Sequence, residues 1–133
     1  MSIEALFQAA LEAQSRAYAP YSGFSVGAAA LGESGAVYVG CNVENAAYPV
    51  GTCAEAAAIA AMVAAGERRL AAILVLGDGR QLVTPCGACR QRIREFGTAA
   101  TPVHVAGRNG VRNTFALDDL LPCAFGPDNL PGE

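Results

Sequence analysis

The chain has 133 residues, 53% of them hydrophobic, and a net charge of −3. That length suits one domain with a single core, spanning 1–133, and no apolar run approaches the roughly 18 residues of a membrane-spanning helix. All nine basic residues are arginine and only Arg90, Arg92 and Arg94 cluster, so neither a membrane nor a nucleic-acid backbone is an expected partner.

The opening stretch, MSIEALFQAALEAQSRAYAP, sets Glu4 and Glu12 among spaced apolar residues. This is the pattern of an amphipathic helix and not of a secretory signal, which points to the cytoplasm. There, five cysteines (Cys41, Cys53, Cys86, Cys89 and Cys123) stay reduced, and the odd count favours metal binding or catalysis over a disulfide framework. YAPYSGF is a turn-rich loop, and SVGAAALGESGAVYVGCNVE reads as a hairpin of two strands around the turn GESG. After the loop NAAYPVG, the stretch TCAEAAAIAAMVAAGERR predicts an almost wholly apolar helix that stops at Gly66. Such a helix is expected to be covered on most sides, by a sheet or by other subunits.

LAAILVLGDG is a central-strand run, CGACRQRIREFG a short helix closed by Gly97, and TPVHVAG a further strand. TFALDDLLP predicts a final short helix with Thr114 as its N-cap, ahead of the irregular tail CAFGPDNLPGE. The alternation of strands and helices implies an α/β fold, three layers deep, with helices crossing over a partly parallel sheet.

Cys86 and Cys89 stand three apart at a predicted helix start, where side chains share a face and free N–H groups favour anions. Cys53 begins the other buried helix with the same advantage, and helices that follow neighbouring strands can bring the three thiols to one sheet edge. Three thiolates leave a tetrahedral Zn²⁺ one position open, as catalytic zinc requires. Glu55, two residues after Cys53, is placed to act as general acid and base. The pairing of CAE with PCGAC fits the cysteine–glutamate signature of zinc deaminases.

With YSGFSVGAA, GCNVENAAYP and LLPCAFGP added to TCAE and PCGACRQ, the chain resembles the small, homotetrameric cytidine deaminases from its first helix to near its C-terminus. The resemblance implies a three-layer α/β/α sandwich with a mixed five-stranded sheet and one zinc per subunit, held by Cys53, Cys86 and Cys89. It implies hydrolytic deamination of cytidine and 2′-deoxycytidine, with Glu55 moving protons to the ring and to departing ammonia, in pyrimidine salvage. Phe24 would flank the base, the Ala54 backbone N–H would receive its carbonyl, and Asn42 and Glu44 would bind the ribose. Phe125 would reach a neighbouring subunit's pocket. One departure stands out: where many relatives carry arginine directly after the catalytic glutamate, this chain has Ala56.

Plainer readings compete with these. Thr52 and Glu55 match a capping box, and an isolated C-x-x-C suits a redox pair. Cys41, Cys123 or His104 would close a structural zinc site, giving a noncatalytic interaction module, although packing is the expected role of both cysteines and His104 is expected to be no ligand. A deaminase of another aminopyrimidine, such as blasticidin S, would share the metal and the glutamate without needing to read ribose.

Overall fold

The computed structural model describes residues 2–131, so the last two residues of the predicted tail lie outside the described part. It begins with α1 (Ile3–Gln14), whose N-cap Ser2 side chain accepts from the Ala5 N–H, then β1 (Val26–Gly32) and β2 (Val37–Cys41). There follow α2 (Ala54–Ala64), β3 (Leu70–Gly77), α3 (Gly87–Phe96) and β4 (Pro102–Gly107). β5 (Gly110–Ala116) and the single turn α4 (Leu117–Leu120) complete the regular structure. No helix among the described residues is long and apolar enough to cross a membrane.

Successive residues of a strand point to opposite faces, and this sorts the core into two layers. Ala28 and Ala30 of β1, Ile73 of β3 and Val103 and Val105 of β4 pack with Ala58, Ile59 and Met62 of α2 and Ile93 of α3. Ala29, Leu74, Leu76 and Ala106 face the other way, onto Leu6, Phe7 and Ala10 of α1. Burying each of the large aliphatic side chains here contributes about 1.5–3 kcal/mol. The result is the expected α/β/α sandwich, with α1 on one face and α2, α3 and the short α4 on the other.

The sheet order is β2-β1-β3-β4-β5. β1 is antiparallel to both β2 and β3, and β3 is parallel to β4. β2 and β3 therefore run the same way with β1 between them, so the helices that follow them, α2 and α3, start at the same edge. The two strands are not the direct neighbours that the alternation of elements predicts; α2 crosses over β1 instead. Two glycines let helices approach closely: a Cβ on Gly40 would lie 2.5 Å from the Ala54 carbonyl, and one on Gly27 would lie 2.1 Å from the Ala10 carbonyl.

The C-terminal region departs from expectation. Thr114 is not a helix N-cap but a residue of β5, opposite His104, whose Nδ1 lies 2.8 Å from its Oγ1. The N-cap of α4 is Ala116, whose N–H donates to the Asp119 carboxylate at 3.1 Å. The two-residue turn Arg108–Asn109, between the paired Gly107 and Gly110, joins β4 to β5 as a hairpin. The α2 expectation also needs trimming: within one chain Ala54, Ala58, Ile59 and Met62 are buried, while Ala60, Ala61 and Ala64 face out.

Candidate metal centre and active site

Cys53 and Cys86 are the N-caps of α2 and α3, and Cys89 lies one turn into α3. Neither N-cap side chain makes a tight capping hydrogen bond to its own helix. The three sulfurs lie within 4.8 Å of one another, the one such group of potential metal ligands among the described residues. Zn–S bonds of ~2.3 Å in a tetrahedron put sulfurs about 3.8 Å apart, so a single ion fits this donor set with small closure. Cys41, at the end of β2, and the exposed Cys123, in the tail, do not join it, and His104 is engaged with Thr114 inside the sheet. Among the described residues no fourth protein ligand closes the group.

Glu55 follows in the first turn of α2, 5% exposed, and lines a cavity of about 320 Å³ together with Cys53, Ala54 and Cys86. The capping-box reading fails, because the N-cap is Cys53, while Thr52 pairs with Val43 through two backbone hydrogen bonds of 2.9 Å. Burial pushes the Glu55 carboxyl above the usual carboxylate range, opposed by its own backbone N–H, Cys89 and Arg92. Burial likewise raises the thiols of Cys53 and Cys89. Burial also acts upward on Cys86, but the backbone N–H groups of Cys89 and Ala88, at the start of α3, prevail and lower it.

Two arginines of α3 support this end, and the sequence reading treated them only as a basic cluster. Arg90 donates from Nε to the Pro85 carbonyl (2.7 Å), from Nη1 to the Leu120 carbonyl (2.7 Å) and from Nη2 to Thr84 Oγ1 (3.1 Å). It thus ties the segment before Cys86 to α4. Arg92 Nη1 donates to Cys89 Sγ at 3.3 Å. Their spacings, four residues after Cys86 and three after Cys89, are the signal that places them on the cysteine face.

Residues 42–44 extend β2 as a narrow ladder between the loop at Tyr18 and the segment at Thr52. Asn42 donates from Nδ2 to the Phe24 carbonyl (2.8 Å) and accepts at Oδ1 from the Val26 N–H (2.9 Å). Glu44 accepts at Oε1 from the N–H groups of Tyr21 (2.9 Å) and Ser22 (3.1 Å), and at Oε2 from the Ser22 hydroxyl. The bonds from Ser22 hold its carboxyl below the usual range. Both residues line the 320 Å³ cavity, so they wall the site and brace its loop at once.

A second cavity of about 320 Å³ adjoins the first across Glu44, Tyr48 and Gly51 and is lined further by Tyr21, Ser22 and Asn45. The Tyr21 and Tyr48 rings stand 5.8 Å apart across it. Tyr48, which touches both cavities, escaped the sequence reading because it falls in a loop beside Pro49. Phe24 is 39% exposed and lines neither cavity. Phe125, 58% exposed, lies in the tail, where its carbonyl accepts from Gln91 Nε2 at 2.8 Å.

Comparison with known proteins agrees with this geometry. Residues 1–105 match the family described as the cytidine and deoxycytidylate deaminase zinc-binding region. A cytidine deaminase of Sporosarcina psychrophila is 42% identical over 130 residues, covering 98% of this chain and 96% of the relative. One from Mycobacterium tuberculosis is 44% identical over 124 residues, covering 93% and 90%. The crystal structure of cytidine deaminase from Burkholderia pseudomallei superposes with a TM-score of 0.88 at 45% identity, covering 94% of this chain and all of that one.

Proposed function

The chain belongs to the zinc-binding cytidine and deoxycytidylate deaminase family, and from that premise we propose that it hydrolyses cytidine and 2′-deoxycytidine to uridine and 2′-deoxyuridine, releasing ammonia. One observation carries the reading: three cysteine sulfurs within 4.8 Å of one another, with the buried Glu55 in the wall of the same cavity. Cys53, Cys86 and Cys89 hold the zinc. When bound, the ion supplies Lewis acidity that makes water a competent nucleophile near neutral pH.

Glu55 does the proton work. Hydrolysis places a water oxygen on C4 of the ring, and the amino group leaves as ammonia. The carboxylate takes a proton from water and delivers it to the ring nitrogen beside C4, then takes the second proton from the new C4 hydroxyl and gives it to the amino group, which leaves as ammonia as the C4 carbonyl forms. A carboxyl held above its ordinary range by burial suits this two-way role. The N–H of Ala54, at the start of α2, binds the base carbonyl.

Asn42 and Glu44 bind the ribose hydroxyls with the polar capacity their loop contacts leave, and Phe24, which lines neither cavity of the single chain, is assigned to flank the base by the family likeness alone. The pocket works in a homotetramer, in which Phe125 of one copy reaches its neighbour's site. A cytoplasmic role in pyrimidine salvage fits the reaction.

The test is the ultraviolet absorbance of cytidine mixed with the zinc-loaded chain and with Glu55→Ala, whose zinc content is measured in parallel. Wild type is expected to consume cytidine, and the zinc-replete variant to be slower by roughly 10²–10⁴-fold. A zinc-loaded wild type that leaves cytidine intact would overturn the substrate, and turnover of another aminopyrimidine would replace it.

A further inference from the structure

Charge is unevenly met at the cysteine centre. Three thiolates outweigh one Zn²⁺ by a unit of negative charge, and the Glu55 carboxylate adds another inside the same cavity. Helix α2 brings no cation to offset them, since the residue after Glu55 is Ala56. Among the described residues one charged side chain donates a hydrogen bond to a sulfur of the cluster: Arg92, from Nη1 to Cys89 Sγ at 3.3 Å. Cys89 is fully buried, so this sulfur depends most on a protein donor.

The route of that arginine is visible. Arg92 and Ala56 line one groove between α2 and α3, about 630 Å³, whose other walls include Ile59, Val63 and Phe96. The short Ala56 side chain leaves the space over which the guanidinium reaches back one turn to Cys89. Arg90, on the same helix, is fully committed to Pro85, Leu120 and Thr84 and cannot take this place.

We propose that Arg92 is the positioning residue of the metal centre, a cation supplied from α3 that orients the Cys89 sulfur and offsets the excess negative charge of the thiolate set. The inference rests on the zinc reading above. A hydrogen bond to a thiolate stabilises its lone pairs, which has an optical consequence. With Co²⁺ in place of zinc, removing the donor moves the sulfur-to-metal charge-transfer band to longer wavelength.

The experiment compares the full chain with Arg92→Leu, Arg92→Lys and the double variant Ala56→Arg/Arg92→Leu. Three measurements are made on each: zinc retention against a competing chelator, the Co²⁺ spectrum, and folding by circular dichroism. Arg92→Leu is expected to lose roughly 10–100-fold in zinc retention and to shift the Co²⁺ band, the scale set by losing an outer-shell partner. Arg92→Lys should recover part of both, and the double variant should recover the band by bringing a cation from the facing helix. Should Arg92→Leu not fold, Arg92→Met, which likewise has no donor, takes its place with the same expectations. A folded variant with wild-type retention and an unshifted band overturns the proposal while leaving the zinc reading intact. A wild type that binds neither metal overturns both.

Discussion

Of the two adjoining cavities, the one at the cysteines is lined by two helix starts, with Glu55 only 5% exposed and Cys89 fully buried behind it; the one at the tyrosines is lined by loops, with Tyr48 74% exposed. The first end is complete within one chain. Its ligands are set by helix caps, and its backbone is locked by the sheet beneath, which is the arrangement that holds a reactive group to within a fraction of an ångström. The second end has a braced floor, through Asn42 and Glu44, but no lid, and Tyr48 stands far more exposed than large side chains generally do in a finished pocket. Chemistry and substrate grip are thus assigned to parts of different rigidity, and only the second has reason to depend on a neighbouring copy.

The sharpest way to break this contrast is to remove a ligand. Cys53→Ser is expected to reduce turnover to background and zinc retention by more than the roughly 10–100-fold that an outer contact is worth, as read by chelator competition and metal analysis. Retained zinc in that variant would mean that the cluster is not the metal centre. Phe125→Ala addresses the other end: the Michaelis constant should rise about tenfold with zinc content unchanged, and sedimentation should show whether the oligomer survives. An active, stable monomer would sink both the tetramer and the role of Phe125.

Gly40→Ala probes the scaffold that the two ends share. The added methyl meets the Ala54 carbonyl and the Ala58 N–H at 2.5 Å, so α2 must lift from β2. Overpacking of this kind costs typically about 1–3 kcal/mol, to be read as a lower melting temperature, and turnover should fall because Cys53 and Glu55 ride on α2. Glu44→Gln carries the smallest effect. Its carboxyl lies below its ordinary value of 4.5 in the folded chain. The stabilisation it gives is therefore present above that pH and is lost as the pH falls through the folded value. The variant's melting temperature should vary less with pH in the acid range, and its Michaelis constant should rise a few-fold.

The cysteine end was legible in the sequence because its residues are placed by local rules. An i, i+3 cysteine pair at a helix start and a Cys-x-Glu at another need only the helix geometry to be read correctly. That the two starts share an edge follows from strand directions, which the alternation of elements implies, although β1 turned out to lie between the two parent strands. β5 was missed because VRNTFA carries polar residues on an exposed edge strand and runs without a break into Leu117. Arg92 was missed for a different reason. Its partner lies one turn back on the same helix, and an exposed arginine on a helix ordinarily reaches solvent. The loop residues Tyr21 and Tyr48 meet only through the tertiary path of residues 42–52, which no local pattern encodes.

The position of β1 between β2 and β3 has a consequence for the chain as a polymer. Cys53 and Cys86 are brought together across an intervening strand, so an ion held by them closes the long loop formed by α2, β3 and the turn that follows. Such a closure removes freedom from the unfolded chain much as a disulfide does, and it is available in a reducing compartment where a disulfide is not. Metal binding is therefore part of the folding free energy of the sandwich. The knot cannot be tied until the chain as far as Cys89 exists, and stripping the ion should loosen α2 and α3 together while leaving the α1 face in place.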